Sequence, residues 1–342
     1  MVSDSREHDT FGPWIEQVHT PHDVPRLYRD HPLDLNSARL VLKVPRNIPR
    51  REALAETDLY EHLLVVHPQR LSVLSRHHST HEAPAGGPGG YRTRHVDLDD
   101  VVAVHDEVDL LDAHLHVHTR DGGVLSLSYN GSARGHVQRL IDELRRGSTG
   151  TTGAAGSTRA PCGAGADVDT VMDTVMDTVV DTGVDTGGLA MPSLGADDLR
   201  DVAVVADYLH VARRRPDLLP LAWHARQVLR PRCTSPAGAW RRLSHLRSPM
   251  TLQAALLARD GTHLEVFTRR RQLVRGQRPV HCSSRLVLAL RTLERVTARP
   301  NSRYRGATDI TLHAGQARLH LSVPTGSLAE SVLRLSATWP SS

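Results

Sequence analysis

Hydrophobic and polar positions alternate most clearly between residues 96 and 146. In Ala113-His114-Leu115-His116-Val117-His118 the apolar residues fall on one face and three histidines on the other, the period of a half-buried strand. Asp121-Gly122-Gly123 is a turn signal, and Val124-Leu125-Ser126-Leu127-Ser128-Tyr129 returns with the same alternation. Residues 95–99 and 101–104 read as strand ahead of this hairpin. After it, Ser132 offers an N-cap, and Val137, Leu140, Ile141 and Leu144 recur at intervals of three and four. That spacing predicts an amphipathic helix over roughly 133–145 with one face buried.

The same plan closes the chain. Residues 285–288 and 293–296 stand where the first strands stood, and 308–313 with 317–323 form the hairpin. Ser327 and Glu330 then make a capping box opening a helix that carries Leu328, Val332 and Leu335. Residue identity between the two copies is slight, but order and spacing agree, which predicts an internal duplication.

Between and before these stretches the pattern is looser. Residues 38–44 predict a first strand ended by Pro45, and 60–67 with 70–75 a hairpin turning at His67-Pro68-Gln69. Residues 196–215 predict a helix, with Asp197, Asp198 and Asp201 at its start and Arg213, Arg214 and Arg215 at its end, matching the helix dipole. Residues 218–229 fit helix or strand equally. Residues 250–259 and 263–269 predict a hairpin across Asp260-Gly261. From residue 147 the chain is Gly-, Ser-, Thr- and Ala-rich, then repeats every four residues with Asp169, Asp173, Asp177, Asp181 and Asp185 each followed by Thr. A four-residue period drifts around a helix, so this stretch is expected to be a disordered acidic linker. The organisation expected is an N-terminal extension (1–37), a first unit (38–146), the linker (147–195), a helical connector (196–249) and a second unit (250–342).

At 342 residues two domains fit better than one core. With two Phe in the chain, the cores must be built from Leu, Val and Ala. Lys43 is the one lysine among 42 basic residues, the bias of a very GC-rich coding sequence, so arginine at a given position says little by itself. Three scattered cysteines fit a reducing compartment. With no apolar leader and no run approaching a membrane span, the expected location is cytoplasmic, with attachment at the inner face of the membrane as its variant.

Net charge is +4, but it is unevenly spread. Residues 200–342 hold 24 Arg against 8 Asp plus Glu, which leaves residues 1–199 with 18 basic and 30 acidic side chains. The chain is bipolar.

Two strand-rich units, each closed by one C-terminal amphipathic helix, resemble pleckstrin-homology-like (PH-like) domains, in particular bacterial members. The residues carrying the resemblance are 60–146 and 250–339. The likeness implies an α+β, mainly β fold of two bent barrels, each plugged by its terminal helix, and a role in binding rather than catalysis. It departs from many members in having no Trp in the first helix and Trp339 only at the end of the second.

Two clusters are candidates for chemistry. Arg269, Arg270, Arg271, Arg275 and Arg278 surround a turn containing Gly276, and arginine's planar fork suits bidentate bonds to phosphate oxygens. The alternative is a solvated loop in an arginine-rich chain. His114, His116 and His118 share one strand face about 7 Å apart, close enough for two of them to hold a metal. The alternative is an exposed polar face in a chain with 22 His. No nucleophile elbow, phosphate-binding loop or dinucleotide fingerprint occurs, so no catalytic residue and no cofactor is expected. The leading expectation is a non-enzymatic adaptor binding a protein partner or an anionic membrane surface. Nucleic-acid binding by the arginine-rich half is the second, though that half lacks an aromatic stacking stripe. Docking of the acidic half on the basic half and a histidine-liganded metal site are the others.

Overall fold

In a computed structural model, the structure describes residues 7–8, 11–48, 50–54, 57–77, 90–148, 201–232, 248–276 and 282–338. The low-complexity linker with its aspartates, Arg278 and Trp339 lie outside the described residues. The chain forms two compact units, one drawn from residues up to 150 and the other, in the main, from residues beyond it. Each is mainly β with helices added, an α+β arrangement.

In the first unit, β1 (Glu16–Gln17), β2 (Leu40–Pro45), β3 (Tyr60–Val66), β4 (Arg70–Arg76) and β5 (Tyr91–Asp97) form an antiparallel sheet in chain order. A 3-10 turn at Leu98–Asp100 leads to β6 (Val101–Asp109), β7 (Asp112–Thr119) and β8 (Val124–Asn130), an antiparallel meander. Period-2 alternation is visible in the register. Ala113 lies opposite Tyr129, Leu115 opposite Leu127 and Val117 opposite Leu125, all buried, while His114 and His116 face Ser128 and Ser126 on the other side. Asn130, and not Ser132, caps the chain into the helix, its side chain accepting from the Ser132 N–H at 3.0 Å.

Helix α1 (Arg134–Ser148) buries Val137, Leu140, Ile141 and Leu144, the four residues its spacing singled out. It touches β2 and β3 of one sheet and β6 of the other, so it joins the two sheets of the unit. Each such aliphatic side chain contributes about 1.5–3 kcal/mol when taken from water.

The turn between β6 and β7 is built against the backbone that follows β8. Leu110 adopts a left-handed φ of 56°, rare for a branched side chain, and the Gly131 N–H donates to the Leu111 carbonyl at 3.0 Å. A Cβ at Gly131 would overlap the Leu110 carbonyl oxygen, a backbone atom that cannot swing aside. Gly131→Ala is therefore expected to destabilise by about 1–3 kcal/mol, read as a lower urea midpoint at unchanged slope.

The second unit holds more elements than the first. Helix α2 (Val202–Ala212) comes first, with β9 (Leu219–His224) and β10 (Gln227–Pro231) in the stretch whose periodicity left helix or strand open. The strand expected over 250–259 is two, β11 (Met250–Leu252) and β12 (Ala255–Arg259), interrupted at Gln253-Ala254. Then come β13 (His263–Thr268), β14 (Leu273–Arg275) and β15 (Cys282–Ala289), a 3-10 turn at Leu290–Thr292, and β16 (Arg295–Pro300). Next are β17 (Tyr304–Arg305), β18 (Ala307–Ala314), β19 (Ala317–Pro324) and helix α3 (Leu328–Leu335). Strands β9, β12, β13 and β15 lie side by side in that order. Strands β16, β18 and β19 form a second sheet, and β14, β11, β10 and β17 a third. Helix α2 lays Val204, Tyr208 and Val211 on Leu256, Ala258 and Phe267, with the Tyr208 and Phe267 rings edge to face at 5.7 Å. At α3 the Ser327 hydroxyl accepts from the Glu330 N–H, as a capping box requires. The Glu330 carboxylate reaches one residue further back, to the Gly326 N–H at 2.7 Å.

The bent barrels implied by the PH-like resemblance are not formed: among the described residues no sheet closes on itself. The cause is local. The 3-10 turns at Leu98–Asp100 and Leu290–Thr292 take three residues out of the extended conformation between β5 and β6 and between β15 and β16. The ladder is not carried through, and the strands on either side of each turn belong to different sheets.

Beneath α2 lies a buried ionic cluster. Glu265 on β13 is wholly buried, as is most of Arg285, which donates to it through Nε at 2.9 Å. Arg215, just beyond α2, bridges Glu265 and Asp260. Asp260 also accepts from the Thr262 and His263 N–H groups at 2.7 and 2.6 Å.

Candidate anion-binding site

The five arginines singled out around Gly276 do not share one role. Arg269, half-buried, donates through Nη1 to the Cys282 carbonyl at 2.7 Å, which ties the turn after β13 to β15. Arg270 is also half-buried and has partners of its own. Arg271 and Arg275 are exposed, and Arg278 lies outside the described residues. Gly276 takes a φ of 86° and gives its N–H to the Pro249 carbonyl at 2.7 Å, closing the turn.

Strand pairing assembles a different group of arginines in the same unit. In the antiparallel pair β10–β17, Arg230 lies directly opposite Arg305 and Pro231 opposite Tyr304. The pairing continues as the Arg232 N–H donates to the Arg303 carbonyl at 2.9 Å. Alternation explains which side chains point where. Leu229 and Tyr304 turn inward to a small core with Leu252 and Ala307, leaving Arg230, Arg232, Arg303 and Arg305 exposed.

The turn after β16 presents two of these arginines, and Asn301 builds it. Its buried side-chain oxygen accepts from the Arg303 and Tyr304 N–H groups, both at 2.9 Å. Its amide nitrogen donates to both oxygens of Asp309, at 2.9 and 3.0 Å, and Ser322 Oγ donates to the same carboxylate at 2.9 Å. Asp309 is therefore committed to the turn. Gln227 Nε2 ties β10 to the same turn through the Gly306 carbonyl at 3.1 Å, and Arg232 Nε donates to the Tyr304 carbonyl at 3.2 Å. Among the described residues no carboxylate pairs with the guanidinium of Arg230, Arg303 or Arg305. Like charges directly opposite across a strand pair repel by a few tenths of a kcal/mol up to about 1 kcal/mol, and an anion placed between them relieves this. Two exposed forks on a rigid strand pair are suited to phosphate oxygens.

The three strand histidines of the first unit do share one face. His114 and His116 stack with ring centroids 6.1 Å apart, and His105 of β6 lies 6.3 Å from His116. His118 and His105 are both lowered to about 4, by burial first and then by neighbouring histidines, so both rings are neutral near pH 7. The face is hydrogen-bonded to hydroxyls of the facing strand: His116 Nδ1 to Ser126 Oγ at 2.9 Å, His114 Nδ1 to Ser128 Oγ at 3.1 Å. Among the described residues no group of three or more His, Cys, Asp or Glu is arranged to hold a metal ion.

Sequence reasoning missed Arg230, Arg232, Arg303 and Arg305. One signal was available: Arg230-Pro231-Arg232 and Arg303-Tyr304-Arg305 both carry arginine at the strand period. The register that sets them opposite each other was not readable from the chain. No helix among the described residues is long and apolar enough to cross a membrane. No protein-family model, no curated protein and no solved structure matches this chain.

Proposed function

We propose that the chain is a binding protein whose second unit engages an anionic membrane surface through Arg230, Arg232, Arg303 and Arg305. The observation that carries this reading is the direct opposition of Arg230 and Arg305 on an exposed strand pair, with no carboxylate partner among the described residues. The surplus of arginine over acid after residue 200 supports it by raising the local potential for an anion. The likeness to PH-like domains belongs to the same proposal. It rests on the order of elements in the two units: strands, a 3-10 turn, then three strands in the first unit and four in the second, and a helix. The proposed place of action is the cytoplasmic face of the membrane.

The test is flotation of the full chain with vesicles of neutral lipid carrying increasing phosphatidylserine. Binding is expected to rise with anionic content and fall with salt. Arg230→Glu with Arg305→Glu is expected to reduce it at least tenfold, whereas Arg269→Ala, which breaks a backbone contact, reduces it less. Equal flotation of the Arg230/Arg305 variant and the wild type overturns the proposal. Retention of DNA or RNA on filters with a steep salt slope, in the absence of flotation, replaces it with the nucleic-acid reading.

A further inference from the structure

We propose that Ser128 is an activated nucleophile, with His114 as its general base and Asp112 as the positioning residue, acting on small esters bound in the adjoining cavity. The three residues come from facing strands. Ser128 on β8 lies opposite His114 on β7, and Asp112 begins β7. Ser128 Oγ is 3.1 Å from His114 Nδ1, and His114 Nε2 is 3.0 Å from Asp112 Oδ1. The carboxylate fixes the tautomer. Asp112 can only accept, so Nε2 carries the proton and Nδ1 is left with its lone pair directed at the Ser128 hydroxyl. This is a nucleophile–base hydrogen bond with the base held by a third group, the arrangement that activates a serine.

A hydroxyl paired with a histidine across strands is not by itself the signal. This sheet-rich chain uses that pair repeatedly: Ser75 with His62 at 2.8 Å, Ser72 with His95 at 2.9 Å, Ser126 with His116 at 2.9 Å. Two observations meet at Ser128. Its histidine carries a carboxylate on the opposite ring nitrogen. Both Ser128 and Asp112 also lie on the wall of a cavity of about 510 Å³ whose lining includes none of the other pairs. Phe11, Ile48 and Leu111 give that wall an apolar part beside the polar Arg46, Asn47 and Asn130, and its size fits a small ester with an apolar acyl or alkoxy group. The left-handed Leu110 lies just before Leu111 and Asp112 in the turn that delivers both to the wall.

The step balances with water as the second reactant. The Ser128 Oγ–H proton passes to His114 Nδ1 as an Oγ–C bond forms at the ester carbonyl. The C–O bond to the alcohol breaks, and the alkoxide takes the proton from Nδ1. Water then repeats the sequence, releasing the acid and restoring Ser128. Asp112 stabilises the imidazolium that forms between the two transfers.

The experiment is labelling of the full chain with an alkyl fluorophosphonate, mapped by peptide mass spectrometry, beside hydrolysis of p-nitrophenyl butyrate. Ser128 is expected to be labelled and Ser126, the internal control, not. His114→Ala is expected to slow both readouts by about tenfold or more. Asp112→Asn is expected to lower kcat with little change in KM, and Asp112→Glu to recover part of it, which loss of structure would not do. Thermal melts confirm that each variant is folded, and His114→Gln replaces His114→Ala if the latter is not. Equal labelling of Ser126 and Ser128, or a rate unchanged by both His114 substitutions, overturns the proposal. Neither readout depends on vesicle binding by the second unit.

Discussion

Glu265→Ala is expected to destabilise the second unit by about 3–5 kcal/mol, because it leaves two buried guanidiniums without their shared carboxylate. Glu265 is 0% exposed and accepts from both Arg215 and Arg285. Burial draws the pKa of Arg215 down, but Glu265 and then Asp260 outweigh it and hold it above the ordinary arginine value. Arg285 is less well provided for: Nη2 is buried with no hydrogen-bond partner among the described residues, and the guanidinium rests over the Phe267 ring at 5.8 Å from its centroid. Removing Glu265 strands the Nε–H of Arg285 as well. Glu265→Gln, which keeps shape and acceptor but loses charge, should fall between wild type and Ala. Replacing Glu265 and Arg285 together by apolar residues of similar volume, which leaves Arg215 paired with Asp260, should recover most of the loss, since the desolvation of both charges goes with them. The measurement is the urea midpoint of each variant. A loss below about 1 kcal/mol for Glu265→Ala would mean that the cluster is solvated in the native protein.

Nothing in the sequence announced that cluster, and the reason is instructive. Arg215, Asp260, Glu265 and Arg285 come from the end of a helix, a hairpin turn and two strands, and only pairing of β13 with β15 sets Glu265 beside Arg285. Within a hairpin the opposite holds. The β7–β8 pair and helix α1 were legible almost residue for residue, because alternation and the 3.6-residue period are set by burial of Leu115, Leu127, Leu140 and their neighbours. Legibility failed at the joints. The turn at Leu98–Asp100 continues the apolar–polar alternation of β5, so it reads as strand, although it is where one sheet ends and the next begins. The candidate sites divide in the same way. The histidine face of β7 follows from one strand's period, whereas the Arg230–Arg305 opposition spans 75 positions and depends on register alone. Between these extremes stands Ser128: its own strand is legible, but its partner His114 reads in the sequence as a metal ligand or as part of an exposed polar face.

Acidification from pH 7 to 4.5 is expected to destabilise both units before their carboxylates titrate. In the second, His224 is 7% exposed, its Nε2 has no hydrogen-bond partner among the described residues, and burial lowers its pKa from 6.5 to about 4. The unfolded chain therefore binds a proton at a pH where the folded one does not, so stability falls with pH. The contribution is fully present above about pH 6.5 and is lost progressively down to about pH 4, where the folded imidazole also titrates. A displacement of that size corresponds to about 3 kcal/mol at most. His105 and His118 of the first unit are lowered to about 4 for the same leading reason, reinforced by their histidine neighbours. Their side chains retain some access to water, which reduces their contribution to about 1 kcal/mol each. The check is urea unfolding at pH 7 and at pH 4.5 for wild type and His224→Gln, with a probe in the second unit. The variant should lose distinctly less stability than wild type over that interval, and a parallel loss in both proteins would show that His224 is able to accept its proton in the folded state.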